Sequence, residues 1–219
     1  MSYICFKNVS KSFNRIPVIK SADFSVEKGE ICGFIGRNGS GKTVIFKLMT
    51  GLLLPDSGTV TINGKDYSSK GRFYDSIGVM IETPGFIPHY TGLKNLKILN
   101  SMSSSPVSVS EICALMRRLG LDPKNRCPVK TYSLGMRQKL GIIQAVMNLP
   151  ELLVLDEPMN SLDTESVKEI RKLFTELNKI GTTIVIASHI SEDIEALCTR
   201  TFRIDNAVVT EVKAEAETV

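Results

Sequence analysis

A chain of 219 residues with 42% hydrophobic side chains can bury a sizeable core. Its net charge of +4 comes from scattered Lys and Arg with no basic block, so no nucleic-acid partner is expected. Cys5, Cys32, Cys113, Cys127 and Cys198 form no CxxC pair, which argues against a disulfide framework or zinc site and suits a reducing compartment. The N-terminus lacks the layout of a signal peptide. No apolar run approaches the ~20 residues needed to span a bilayer. A cytoplasmic chain is expected, with any membrane association made through a partner.

Residues 3–9 and 18–26 alternate like strands, 28–30 turn, and 31–35 form an apolar run that reads as a buried strand. A glycine-rich stretch, 36–41, precedes 42–50, where Val44, Ile45, Leu48 and Met49 recur at helical spacing until Gly51. After a turn at 55–58 comes a strand over 59–62, and Asn63-Gly64 signals a hairpin. From about 86 to 150 the chain turns helical, over 93–99, 109–119 and 136–147, with an exposed serine-rich loop at 101–106. Strand 152–155, helix 165–180 (Val167, Ile170, Phe174 and Leu177 on one face) and strand 183–187 follow. The alternation indicates an α/β fold with a parallel sheet. Residues 202–212 read as a small hairpin around Asp205-Asn206.

The run Gly36-Arg37-Asn38-Gly39-Ser40-Gly41-Lys42-Thr43 matches the phosphate-loop pattern GxxxxGK[ST] in full. Glycines let the backbone wrap an anion with its N–H groups inward. The helix that follows presents its positive end to the phosphates. Lys42 reaches the β- and γ-phosphates and Thr43 coordinates magnesium. The motif sits between an apolar strand and a helix, the context it requires, so a nucleoside triphosphate and Mg2+ are expected ligands.

The strand at 152–155 ends in Asp156-Glu157-Pro158. Ligands of parallel sheets gather at the carboxyl ends of strands, so Asp156 can hold magnesium and Glu157 can act as general base on a water. Acids after strands also serve as helix caps and turn residues; the phosphate loop beside them favours the functional reading. Ser188-His189 ends another apolar strand, where a histidine is either structural or a γ-phosphate contact.

With these motifs, Tyr132-Ser133-Leu134-Gly135-Met136-Arg137-Gln138-Lys139 and Asn160-Ser161-Leu162-Asp163 stand in an order and spacing that resembles an ABC transporter ATP-binding subunit over nearly the whole chain. The resemblance implies one nucleotide-binding domain over 1–219. That domain has a P-loop NTPase core, a mainly parallel sheet, an N-terminal antiparallel β subdomain and an α-helical subdomain at about 86–150. It implies that Phe13 stacks on adenine, its alternative being a core phenylalanine. Ser133 and Gly135 would contact the γ-phosphate of ATP held by a second ATPase domain, Asp163 would communicate between the sites, and His189 would act as the switch histidine. Closing and opening of the dimer would drive a separate transmembrane permease, with the ATPase peripheral on the inner face of the membrane.

Three positions depart from the family pattern. Glu82 stands where glutamine is usual; as a carboxylate it can still ligate magnesium, at the cost of added negative charge. The signature reads YSLGM in place of LSGGQ. Asn206 replaces a turn glycine and tolerates the same left-handed backbone. The run Ile81-Glu82-Thr83-Pro84-Gly85-Phe86 is similar to the ATPases of bacitracin- and lantibiotic-resistance transporters, which implies export or removal of a peptide antibiotic. The rival reading is a soluble ABC ATPase of DNA repair, translation or cluster assembly. A non-enzymatic nucleotide switch is weakened by the retained Glu157 and His189.

Overall fold

The computed structural model describes residues 2–68, 76–82 and 84–212; Thr83, within the run that carries Glu82, lies outside them. The opening alternation becomes two long strands, β1 (Ser2–Phe13) and β2 (Ile16–Glu27), paired antiparallel. Asn14 and Arg15 between them have φ of 49° and 66°, the left-handed pair that a two-residue hairpin requires. The apolar run at 31–35 is β3 (Ile31–Ile35), and the glycine-rich stretch after it opens α1 (Lys42–Met49). Strand β4 (Ser57–Ile62) pairs with β1 and turns at Asn63-Gly64 into β5 (Lys65–Asp66). Together these outer strands form an antiparallel sheet in the order β2-β1-β4-β5.

A second sheet starts from β3 and adds β6 (Ile77–Met80). Three helices follow in the chain: α2 (Gly92–Ser101), α3 (Val109–Arg118) and α4 (Leu134–Val146). Their starts are set locally. Thr91 caps α2, Ser108 and Glu111 form a capping box on α3, and Ser133 caps α4. Strand β7 (Leu152–Asp156), α5 (Thr164–Lys179), β8 (Thr183–Ala187), α6 (Ser191–Leu197), β9 (Arg200–Asp205) and β10 (Val208–Val212) complete the chain. The short α6 is an addition to the elements expected from sequence. The sheet order is β10-β9-β3-β8-β7-β6. Strands β9 to β6 run parallel, and β10 closes the terminal hairpin antiparallel. Asn206 there has φ 49°, as its side chain allows.

The parallel sheet is covered on both faces, which is why its strands read as unbroken apolar runs. Leu153 and Leu155 of β7 pack with Leu140 and Ile143 of α4 and Phe174 of α5. Leu152 and Val154 face the other core, with Phe46 of α1 and the antiparallel sheet. An aromatic cluster joins the two sheets: Phe6 stacks on Phe24 at 4.4 Å, Phe24 meets Phe34 at 5.4 Å, and Phe34 stacks on Phe202 at 5.1 Å. Such ring pairs add about 0.5–1.5 kcal/mol each beyond the area they bury. The five cysteines are free thiols.

The tightest approach lies between β6 and α4. A Cβ at Gly78 would run into the carbonyl oxygen of Ala145, a backbone atom with no rotamer to yield. Gly78→Ala is therefore expected to destabilise the fold by about 1–3 kcal/mol through overpacking. A thermal melt would register this as roughly 2–4 °C per kcal/mol in a chain of this size. Gly85→Ala, where a Cβ meets nothing within 4 Å, should melt with the parent protein.

Candidate active site

Strands β3, β8 and β7 end side by side, with Phe34 and Asp156 both in register with Ala187. The phosphate loop leaves β3, His189 follows β8, Asp156 and Glu157 end β7, and Glu82 follows β6. The order of strands thus gathers motifs far apart in sequence. A cleft of about 520 Å³ opens at these ends, lined by Phe13, Lys42, Thr43, Glu82, Asp156 and Glu157 together with Asn38, Gly39, Gly41, Gln138 and Asn160.

The loop is shaped for an anion. Gly39 and Gly41 have φ of 80° and 110°, where a side chain would be strained. A Cβ at Gly36 would fall 2.5 Å from Ser40 Oγ and 2.6 Å from the Ile204 carbonyl. Ser40 Oγ is buried and has no hydrogen-bond partner among the described residues. A buried donor left open in a glycine-rich loop, at the start of a helix, is one that a phosphate can satisfy. Lys42 is 7% exposed. Its Nζ donates to the Gly36 carbonyl at 2.8 Å and stands 3.9 Å from Glu157 Oε1.

The Thr43 hydroxyl donates to Asp156 Oδ2 at 2.6 Å. Burial pushes the Asp156 carboxyl above its ordinary value; the Thr43 hydrogen bond works against this, and the charge of Glu157 adds to the rise. Glu157 is held differently. Its backbone is left-handed, φ 51°, a conformation that costs a non-glycine residue about 1–3 kcal/mol and clusters at functional sites. Its Oε2 lies 2.8 Å from His189 Nδ1 and accepts the His189 backbone N–H at 3.3 Å. His189 itself lines a neighbouring depression with Gly36 and Arg37.

Phe13 is 45% exposed at the end of β1, so its alternative as a core phenylalanine fails. Glu82, also left-handed at φ 59°, lines the cleft with its carboxylate 2.7 Å from Lys47 Nζ. Ser133 and Gly135 do not line the cleft. Ser133 Oγ accepts the Met136 N–H at 3.2 Å, and a Cβ at Gly135 would come within 3.0 Å of the Ser161 carbonyl. Asp163 caps α5 through Ser166 and lies 3.8 Å from Lys139 Nζ. Two residues near the site carry no role in the sequence reading: Gln138, which stands in the signature segment and lines the cleft, and Lys47, which pairs with Glu82. Each sits at a helix position whose neighbours in space come from another segment, so spacing carried no signal for them.

A model of the ABC transporter family matches residues 19–160. The chain is 41% identical over 193 residues to the bacitracin transport ATP-binding protein BcrA of Enterococcus faecalis, covering 87% of this chain and 62% of that one. It therefore spans less than two thirds of that relative. It is 36% identical over 191 residues to the lantibiotic transport ATP-binding protein SrtF of Streptococcus pyogenes, covering 87% and 82%. A solved ATP-binding subunit of an ABC transporter superposes with a TM-score of 0.87 at 25% identity, over 97% of this chain and 90% of that one. The ATP-binding cassette MJ0796, solved as a dimer in a post-hydrolysis state with ADP and Pi, shares the fold with a TM-score of 0.87 at 23% identity, over 96% and 98%.

Because burial raises the Asp156 carboxyl, its ionised form costs folding stability at pH values above the raised one. Asp156→Asn removes that charge and is expected to raise the melting temperature at neutral pH, by about 2–4 °C for each kcal/mol relieved. The gain should shrink as pH falls towards 3.8, the ordinary value at which the carboxyl is protonated in the unfolded chain as well. Melting curves across pH check both the sign and the window.

Proposed function

We propose that this chain, which belongs to the ABC transporter family, is an ATP-hydrolysing subunit that powers a separate membrane permease. The observation that carries the proposal is the convergence of Lys42, Thr43, Asp156 and Glu157 on one cleft, from two strand ends that are not adjacent in sequence. ATP is the substrate. Gly36 to Thr43 cradle its phosphates, with Lys42 as the point charge and Ser40 as a donor, and Phe13 offers an exposed ring to the base. Glu157 takes the proton from the attacking water. His189, bonded to Glu157, orients that carboxylate and contacts the γ-phosphate. Catalysis is then mostly positioning and electrostatics, as phosphoryl transfer requires.

The residues present fit Mg2+. Thr43 and Asp156 bring hard oxygen donors together at 2.6 Å. Mg2+ is commonly held by one or two carboxylates together with substrate phosphates, and Asp156 would be such a carboxylate. When bound, Mg2+ neutralises charge on the β- and γ-phosphate oxygens. Glu82 is a further oxygen donor on the cleft wall, and using it means exchanging its ion pair with Lys47.

Ser133 and Gly135 lie outside the cleft, at the start of α4, whose N-terminal end favours an anion. They are proposed to complete the site of a second ATPase domain, an identical chain or a related one, with Asp163 communicating between the two. No helix among the described residues is long and apolar enough to cross a membrane. The permease is proposed as a separate protein that holds this subunit on the cytoplasmic face. The names of the relatives, bacitracin transport and lantibiotic transport, support a peptide antibiotic as cargo, with resistance as the outcome. They also favour transport over a soluble role in repair, translation or cluster assembly.

Lys42→Ala is expected to lower ATP turnover about 10²–10³-fold, the usual loss on removing one electrostatic stabiliser; normal turnover would reject the site. Glu157→Gln should cost about 10²–10⁴-fold, as for a general base, while ATP binding persists and an ATP-bound dimer accumulates on size-exclusion chromatography. A Glu157→Gln protein that stays monomeric in saturating ATP and hydrolyses it normally would sink the assignment. Purification from solubilised membranes should bring down a multi-span permease; recovery with soluble partners alone would favour the rival reading.

A further inference from the structure

Glu157 holds its carboxylate at the cleft by means of a left-handed backbone, φ 51°, and a strained residue persists only where its surroundings over-determine it. Part of that support comes from β8, since the Glu157 N–H donates to the Ala187 carbonyl at 2.9 Å. The carbonyl side is held by Gln138, in the second turn of α4. Its Nε2 donates to the Glu157 carbonyl at 2.7 Å and to the Pro158 carbonyl at 3.0 Å. Both acceptors are carbonyl oxygens, so the chemistry fixes the amide with its NH2 group towards them. One side chain thus clamps two successive peptide groups just after the catalytic strand, from within the cleft it lines.

The same helix begins at Ser133, which caps it, and carries Gly135 in its first turn. Gln138 is therefore the link between the segment that faces the partner domain and the carboxylate that acts on this chain's own ATP. We propose that Gln138 is a positioning residue for hydrolysis: it holds the left-handed turn that aims Glu157, and it ties that aim to the placement of the signature helix. The inference rests on the reading of Glu157 as general base. It makes no demand on ATP binding, because neither contact of Gln138 involves the phosphate loop.

The test compares Gln138→Leu, Gln138→Glu and Glu157→Gln in the purified protein. Gln138→Leu removes both hydrogen bonds. Gln138→Glu keeps the size of the side chain and sets an acceptor against two carbonyls. A misplaced base should lower kcat about 10–100-fold, with the KM for ATP and the directly measured Kd for ATP within about twofold of the parent, the pattern of an interaction used only in the transition state. Both Gln138 variants should then resemble Glu157→Gln and accumulate the ATP-bound dimer. A role confined to folding would instead weaken ATP binding and dimer formation along with turnover. Parental kcat in both variants, or a fall in kcat with weaker ATP binding and no trapped dimer, overturns the inference. Should Gln138→Leu fail to fold, Gln138→Glu alone decides the matter by the same measurements. If Glu157→Gln neither slows turnover nor traps the dimer, the reading of Glu157 falls and this inference with it. If only the Gln138 variants behave as parent, the reading stands and the inference alone is lost.

Discussion

The hydrogen bond from Thr43 Oγ1 to Asp156 Oδ2, 2.6 Å long, joins the two halves of the cleft. One partner opens α1 and the other ends β7, with more than a hundred residues between them. The bond exists because β3 and β7 run parallel with only β8 between them, so their carboxyl ends deliver both groups to one level. Nothing in the loop alone would bring an acid to Thr43, and nothing in β7 alone would bring a hydroxyl to Asp156. The sheet order is what turns two motifs into a site.

The two acids that leave β7 are then separated by environment. Asp156 is 9% exposed and raised by burial, suited to binding a cation that repays its desolvation. Glu157 has turned out of the strand through its left-handed backbone and meets His189 and Lys42. Adjacent acidic residues thereby acquire different surroundings. Glu82 repeats the device on a neighbouring strand, also left-handed and also paired with a lysine.

Much of this is legible in the amino-acid sequence. The phosphate loop, the acidic strand end and the apolar runs of β3, β7 and β8 each carry a local pattern, and local patterns survive in the fold. The Asn63-Gly64 turn and the helices over 93–99, 109–119 and 165–180 are readable for the same reason, with ends shifted by caps such as Thr91 and Asp163. What sequence could not show was pairing across segments. Lys47 with Glu82, and Gln138 with Glu157, depend on how α1 and α4 are laid on the sheet. Helix α6 was passed over because seven residues give too little periodicity to read. Phe13 could be weighed as core or surface only once β1 was seen to end at the cleft.

The contact of Gly78 with Ala145 has a mechanical meaning as well. Where two elements meet through side chains, rotamers can absorb a small slide between them. Here the backbone of β6 lies directly against the backbone of α4, and a packed interior transmits displacement with little compliance. A push on the first turn of α4 is therefore delivered to the edge of the sheet as a displacement, with little of it taken up on the way. The helix works as a stiff rod set against the strand that leads to Glu82.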